Sequence, residues 1–344
     1  MERHVLEKGG KLNAPLSLFL EITNVCNQRC LFCIQPGKRQ LKLKADETCY
    51  MSLACVEKLI HEAKTLGVLE FYITGGEPLC HPQFLEIVTL LKKSGFCVSI
   101  LTNGINLSST DIKILSSILE PEQDILLLGL DAAERVAYRN LRGEDHFESL
   151  LETLEMLRAA GLPFATQAVL VKSNIDLLED TWKLSSHYGA RAHILIQPYR
   201  KKEIETGTYA SEEEMRLSLE RLRNHMTQPD EHRNSLIFPG APGIAPPTQP
   251  AAYKPGQEQQ ENADTRLHCR AGYTSCAVNV RGEVHICSFA LDSGLSVGNL
   301  FRTSLEETWE SIGQFMKKSH HMSPAKQGRG CPFISFIPFI REWE

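Results

Sequence analysis

Over the first two hundred residues, short apolar runs rich in β-branched residues alternate with longer stretches of helical periodicity. The strand-like runs are 16–22, 70–74, 97–102, 125–130, 164–171 and 192–197, and helical patterns at 52–65, 82–94, 109–119, 147–160 and 177–187 lie between them. In the fourth of these, Leu150, Leu151, Leu154, Met156 and Leu157 follow helical spacing, and Gly161-Leu162-Pro163 ends it. Strands this short and apolar are expected to be covered on both faces. Strand–helix alternation implies right-handed βαβ units and a parallel sheet. Six units are too few to close an eight-stranded barrel. The expected fold is therefore α/β, an open partial (β/α)6 barrel of TIM-like kind, with its site at the C-terminal ends of the strands.

A helix at 211–226 follows, and then the composition shifts. Pro239, Pro242, Pro246, Pro247, Pro250 and Pro255 fall in a Gln- and Ala-rich stretch that reads as a long loop or linker. Its apolar Leu236-Ile237-Phe238 leaves room for a lid or partner-binding segment. A second module begins near Arg266. There, 277–280 and 283–286 flank Arg281-Gly282 as a hairpin, 304–316 reads as a helix, and the apolar tail 333–340 is expected to pack on the core. The expected organisation is a barrel over 1–227, a linker over 228–266, and a small C-terminal domain over 267–344.

Lys and Arg number 37 against 42 Asp and Glu, a net charge of −5, which gives no bulk attraction for nucleic acid or an anionic membrane surface. No apolar run approaches the roughly 20 residues of a membrane span. The opening MERHVLEKGGKLNAP lacks the apolar core of a secretory signal, so a cytoplasmic location is expected. Eleven cysteines are unusual for that address, where clustered thiols bind metal or do redox chemistry. Isolated ones such as Cys55 and Cys97 read as small buried hydrophobes.

Cys26, Cys30 and Cys33 form C-x3-C-x2-C directly after the first strand. Three soft thiolates within eight residues favour an iron–sulfur cluster or zinc. Structural zinc usually has four ligands, and His4, His61 and His81 belong to other segments. Three ligands would leave one iron of a [4Fe–4S] cluster open. The C-terminal module holds Cys269, Cys276, Cys287 and Cys331, a complete set for a second [4Fe–4S] cluster or for zinc, and Gly282 turns the hairpin between Cys276 and Cys287.

With its aromatic Phe32, the first cluster resembles the signature of the radical S-adenosylmethionine (SAM) enzymes, C-x3-C-x-aromatic-C. Gly75-Gly76-Glu77-Pro78 after the second strand matches that family's GGEP motif, and Thr102-Asn103-Gly104 after the third resembles its TNG segment. After the fourth strand, Asp131 and then Arg142-Gly143 match a further pattern, while Gly129 stands where relatives often carry serine. The resemblance implies that SAM chelates the open iron and is cleaved to a 5′-deoxyadenosyl radical that abstracts hydrogen from substrate. It also implies that Glu77, beside Gly75 and Gly76, binds the methionyl ammonium, and that Arg142 forks onto the cofactor carboxylate. Phe32, Pro78, Asn103 and Asp131 complete the implied cofactor set. Cys269-x12-Gly282-x4-Cys287 resembles the SPASM/twitch subgroup, which implies one closed auxiliary [4Fe–4S] cluster accepting an electron from the substrate. His285 stands where it can tune that cluster.

Relatives of this layout modify peptides or proteins, so maturation of a ribosomally made peptide by cross-linking, epimerisation or excision is the leading expectation. Dehydrogenation of a secondary alcohol on a sugar or antibiotic-type substrate, sulfatase maturation, and a non-catalytic iron–sulfur or zinc protein are the alternatives. GGEP argues against the last, since a mere cluster carrier needs no methionyl pocket. The resemblance implies an external electron donor of flavodoxin or ferredoxin type. Cys26 lies too near the start for a leader-binding domain ahead of the barrel, so a peptide substrate would need a separate recognition protein or direct docking. No catalytic base is assigned; Gln167, Gln197 and Tyr199 are candidates to face the cavity.

Overall fold

The computed structural model describes residues 12–33, 50–196, 209–226, 235–237, 271–291 and 296–322. Six parallel strands pair in sequence order: β1 (Ser17–Glu21), β2 (Glu70–Thr74), β3 (Cys97–Thr102), β4 (Ile125–Gly129), β5 (Phe164–Val169) and β6 (Ala192–Ile196). Between them run α1 (Leu53–Leu66), α2 (Phe84–Lys93), α3 (Ser109–Ile118), α4 (Arg135–Arg142), α5 (Phe147–Ala159) and α6 (Leu178–His187). Local chemistry sets the helix ends. Ser52 caps α1 by accepting from Cys55 N–H, and Gly67, at φ 74°, closes it in the left-handed region. Ser108 and Asp111 form a reciprocal capping box on α3.

The strands' outward side chains build the core. Leu18, Leu20, Phe71, Ile73, Val98, Ile100, Leu126 and Leu128 are fully buried in one cluster with Val56 and Leu59 of α1 and Ile87 and Leu91 of α2. The inward side chains differ from expectation. Phe19, Tyr72, Leu101, Leu127 and Ile194 alternate with those core residues yet stay only half-buried. Among the described residues the strands are therefore not equally covered on both faces: the sheet's own inward side chains do not fill the space it curves round.

After α7 (Glu212–Met226), the strand β7 (Ser235–Ile237) adds parallel to β6, with Ala192 opposite Ser235. It falls inside the stretch read as linker; 228–234 and 238–266 lie outside the described residues, as does the apolar tail. At the other edge, β8 (Ser275–Val278) pairs parallel with β1, Leu18 opposite Cys276. β9 (Glu283–His285) and β10 (Gly298–Asn299) continue antiparallel from β8. The C-terminal hairpin is thus an extension of the barrel sheet, and the ten strands run β10-β9-β8-β1-β2-β3-β4-β5-β6-β7. The last helix, α8 (Leu305–Met322), fastens the hairpin to α1. Leu305 N–H donates to Glu62 Oε2 at 2.7 Å, and buried Trp309 donates Nε1–H to Leu12 O at 2.8 Å.

Candidate active site

The loop leaving β1 carries Cys26, Cys30 and Cys33 as half-buried thiols. Burial above all, with the charges of Glu77, Cys30 and Cys33 adding to it, pushes the Cys26 thiol up to about 12. A metal-free Cys26 is therefore protonated at neutral pH, and ligation releases that proton. Among the described residues no three His, Cys, Asp or Glu side chains are gathered as for a single metal ion. Three soft thiolates on one short loop suit an iron–sulfur cluster with one iron left open.

The motifs after β2, β3 and β4 converge on this loop. Gly76 N–H donates to Thr23 O at 2.7 Å and Glu77 N–H to Val25 O at 2.8 Å. A Cβ on Gly75 would lie 2.5 Å from Thr23 O, and one on Gly76 would lie 2.4 Å from Val25 O. The close approach that these glycines allow is thus to the cluster loop's own backbone. Glu77 is buried, and its Oε1 accepts from Leu79 N–H and from the Thr102 hydroxyl. Its Oε2 accepts from Asn103 N–H at 2.7 Å. Burial nonetheless pushes the carboxyl up to about 7, against those hydrogen bonds and the Arg142 charge. Pro78 opens the short helical turn that Glu77 caps. Asn103 then donates Nδ2–H to Asn27 Oδ1 at 2.7 Å, between the first two cysteines.

Arg142 holds the loop from the other side. Its Nε and Nη2 both reach Asp131 Oδ2 at 2.5 Å, and its Nη1 faces Gln28 Oε1 at 3.3 Å and Cys30 Sγ at 3.9 Å. The guanidinium lies 5.5 Å from the Phe32 ring centre and 5.9 Å from that of Tyr138. One edge of the fork expected to meet the cofactor is thus engaged by Asp131. Asp131 is fully buried and also accepts from Val169 N–H at 2.8 Å, which ties the ends of β4 and β5 together. Gly129 now has a reason: a Cβ there would stand 1.9 Å from Arg142 Nη2. Gly143, at φ 76°, has one too, since a Cβ there would meet Arg29 O at 2.5 Å. Arg29 and Leu31 N–H groups donate to Arg142 O and Leu141 O.

Asn27, Gln28 and Tyr138 belong to the site without a sequence motif that marks their role, and Thr102 joins them from the TNG segment. Gln28 Nε2–H donates to the Tyr138 hydroxyl at 3.2 Å. Tyr138 stands one helical turn before Arg142 on α4, a pairing visible only once that helix is recognised.

In the second cysteine set, Cys276 is fully buried on β8 and Cys287 directly follows Ile286 after β9. Gly282 turns the hairpin at φ 71°, with the Phe301 ring where a Cβ would go. Asn279 Nδ2 lies 3.3 Å from Nε2 of buried His285. Cys269 and Cys331, like Gln197 and Tyr199, lie outside the described residues. Gln167 sits half-buried on the inner face of β5, beside Gly129.

Comparison with known proteins agrees with this geometry. The Radical SAM superfamily matches residues 20–184, and the SPASM iron–sulfur cluster-binding domain matches 269–332. The mycofactocin maturase MftC of Mycolicibacterium smegmatis is 24% identical over 306 residues, 87% of this chain and 71% of that protein. The PqqA peptide cyclase of Ruegeria pomeroyi is 29% identical over 180 residues, 52% of this chain; the match spans only 46% of that relative's length. The structure of Streptococcus suis SuiB bound to precursor peptide SuiA superposes with a TM-score of 0.69 at 18% identity, covering 89% of this chain and 67% of that one, a likeness of fold. The three-cysteine loop and the strand ends that brace it lie within the first match and the cysteine-bearing hairpin within the second: the chain belongs to the radical SAM superfamily, in its SPASM/twitch subgroup.

Proposed function

We propose that this chain is a radical SAM enzyme that modifies a peptide or protein substrate by net oxidation. The observation that carries the reading is the pairing of β8 with β1, which sets the hairpin bearing Cys276 and Cys287 beside the strand that leads into Cys26, Cys30 and Cys33. When bound, the first cluster and SAM supply a 5′-deoxyadenosyl radical, and an auxiliary cluster supplies an electron acceptor. Cys26, Cys30 and Cys33 would hold the former; Cys269, Cys276, Cys287 and Cys331 the latter. Phe32, Gly75, Gly76, Glu77, Pro78, Asn103, Asp131 and Arg142 would line the SAM site, and the contacts above make most of them braces of the cluster loop. PqqA peptide cyclase and SuiB, by name or bound peptide, support a peptide substrate. A flavodoxin or ferredoxin would deliver the electron, and a leader-recognition protein or direct docking would deliver the peptide. Co-expression with short peptides encoded beside its gene tests this reading: mass spectrometry should show loss of two hydrogens from one peptide, and only with Cys26, Cys30 and Cys33 intact. Unmodified peptides, with SAM still cleaved, would point to another substrate class.

Glu77 sets an expected pH dependence. Its carboxyl titrates near 7 in the SAM-free protein. An ammonium beside it favours the carboxylate, so SAM binding releases a proton wherever Glu77 is still protonated. Affinity for SAM should therefore rise as pH passes upward through about 7 and then level off. Glu77→Ala should flatten this profile and weaken binding by about tenfold or more at high pH. Calorimetric titration of the reconstituted protein across that range checks both, and a flat wild-type profile would remove Glu77 from the ammonium site.

A further inference from the structure

On the inner face of the barrel a set of apolar side chains stays outside both cores formed by the described residues. Phe19, Tyr72, Leu101, Leu127, Ile194 and Ile196 are half-buried and belong to neither hydrophobic core cluster. Phe19 and Tyr72 stand opposite one another in the β1–β2 register, and their rings stack at 4.5 Å with a 12° tilt. Leu101 and Leu127 are likewise paired across β3 and β4. Tyr72 lies three residues before Gly75, so the ring pair sits roughly 7–10 Å below the level of the GGEP turn. Beside it, Ala277 of β8 stands opposite Phe19, and His285 opposite Ala277, so the same face runs on to the auxiliary hairpin.

The polar groups on this face are few and mostly engaged. Among the described residues the inward positions of β1–β6 carry no Lys or Arg. Of their carboxylates, Glu70 accepts from the Ser99 hydroxyl at 2.8 Å, and Glu21 is fully buried with Val280 N–H at 3.4 Å. An anionic side chain entering here would lose its hydration and meet no cation, and a cationic one would meet only carboxylates already held by Ser99 and Val280. An aromatic ring would extend the Phe19–Tyr72 stack, and a branched aliphatic one would pack on Leu101, Leu127 and Ile194.

Resting on the peptide reading above, we infer that the residue modified, or the one directly beside it, is an uncharged aromatic or branched aliphatic residue seated against Phe19 and Tyr72. The patch lies below the cluster loop and in line with the hairpin.

The probes are N-acetyl-tyrosinamide, N-acetyl-leucinamide, N-acetyl-lysinamide, N-acetyl-aspartic acid amide and glucose, titrated by saturation-transfer NMR onto the full chain, reconstituted and saturated with SAM. The tyrosine and leucine amides are expected to bind about tenfold or more tighter than the charged pair. Tyr72→Ala and Phe19→Ala should each erase the preference for tyrosine amide. Their SAM affinity should be unchanged, which shows that the barrel is intact. Charged amides binding as well as the apolar ones, a tyrosine-amide affinity unmoved by Tyr72→Ala, or no measurable amide binding would each overturn the inference. Glucose binding in place of every amide would overturn the peptide reading with it. Amides binding without side-chain preference would overturn the inference and leave that reading standing.

Discussion

Protein in which Cys26, Cys30 and Cys33 are all replaced by Ala is expected to hold half the iron of the wild type and to give no reductive cleavage of SAM. With four irons per cluster, anaerobic reconstitution should load about eight irons into the wild type and about four into the variant. The variant should remain folded, because the thiols are not what shapes the loop. Backbone bonds from Gly76 to Thr23, Glu77 to Val25, Arg29 to Arg142 and Leu31 to Leu141 do that, together with the Asn103–Asn27 side-chain bond. All of these survive truncation of the three thiols, so lost activity with metal-free variant and metal-free wild type melting at the same temperature assigns the chemistry to the ligands. The four irons that remain would belong to the C-terminal cysteine set. Zinc recovered there in place of iron would refute an auxiliary cluster and, with it, electron transfer through the hairpin. Full iron loading in the triple variant would refute the assignment of Cys26, Cys30 and Cys33.

What the sequence discloses and what it hides follow from the range of the forces involved. Strands β2 and β3 begin and end where short apolar runs and flanking Gly and Ser place them, because those signals are local. The helix α4 was missed. It has eight residues, no side-chain N-cap, and arginine at three positions, so length and capping give no signal even though its apolar and charged faces separate. What makes it a helix is tertiary: Tyr138, Leu141 and Arg142 are buried against the cluster loop and β4. The strand β7 was missed for a like reason. Its three residues pair only because the edge of β6 is available, which no local pattern records. The motifs at Gly75–Pro78, Asn103 and Asp131–Arg142 were legible as a group, but the partner of each was not. A spacing pattern shows that Gly129 and Arg142 go together; only the fold shows that the guanidinium occupies the volume a serine side chain would need.

Arg142→Leu is expected to destabilise the protein by about 3–5 kcal/mol, because it leaves the fully buried Asp131 without its partner. The loss should extend to the cluster, since the same guanidinium faces Gln28 and Cys30. Arg142→Lys should recover little of it: one ammonium cannot present two nitrogens to Asp131 and a third to Gln28. Adding Asp131→Asn to Arg142→Leu removes the orphaned charge and should restore part of the stability, so the two changes are not additive. Gly129 gives an independent check on the same contact. In the wild type, Gly129→Ser drives a Cβ into the guanidinium, pinned by Asp131, and should cost stability on the scale of Arg142→Leu itself. In the Arg142→Leu background the obstructing atoms are gone, and the same Gly129→Ser should cost little more. Denaturant unfolding of the four proteins under anaerobic conditions, with iron retention read alongside, decides the matter. Equal destabilisation by Gly129→Ser in both backgrounds would show that β4 rejects a side chain there for reasons unrelated to Arg142. A strong interaction between the two sites would establish that Gly129 departs from serine in order to seat the arginine that braces the cluster loop.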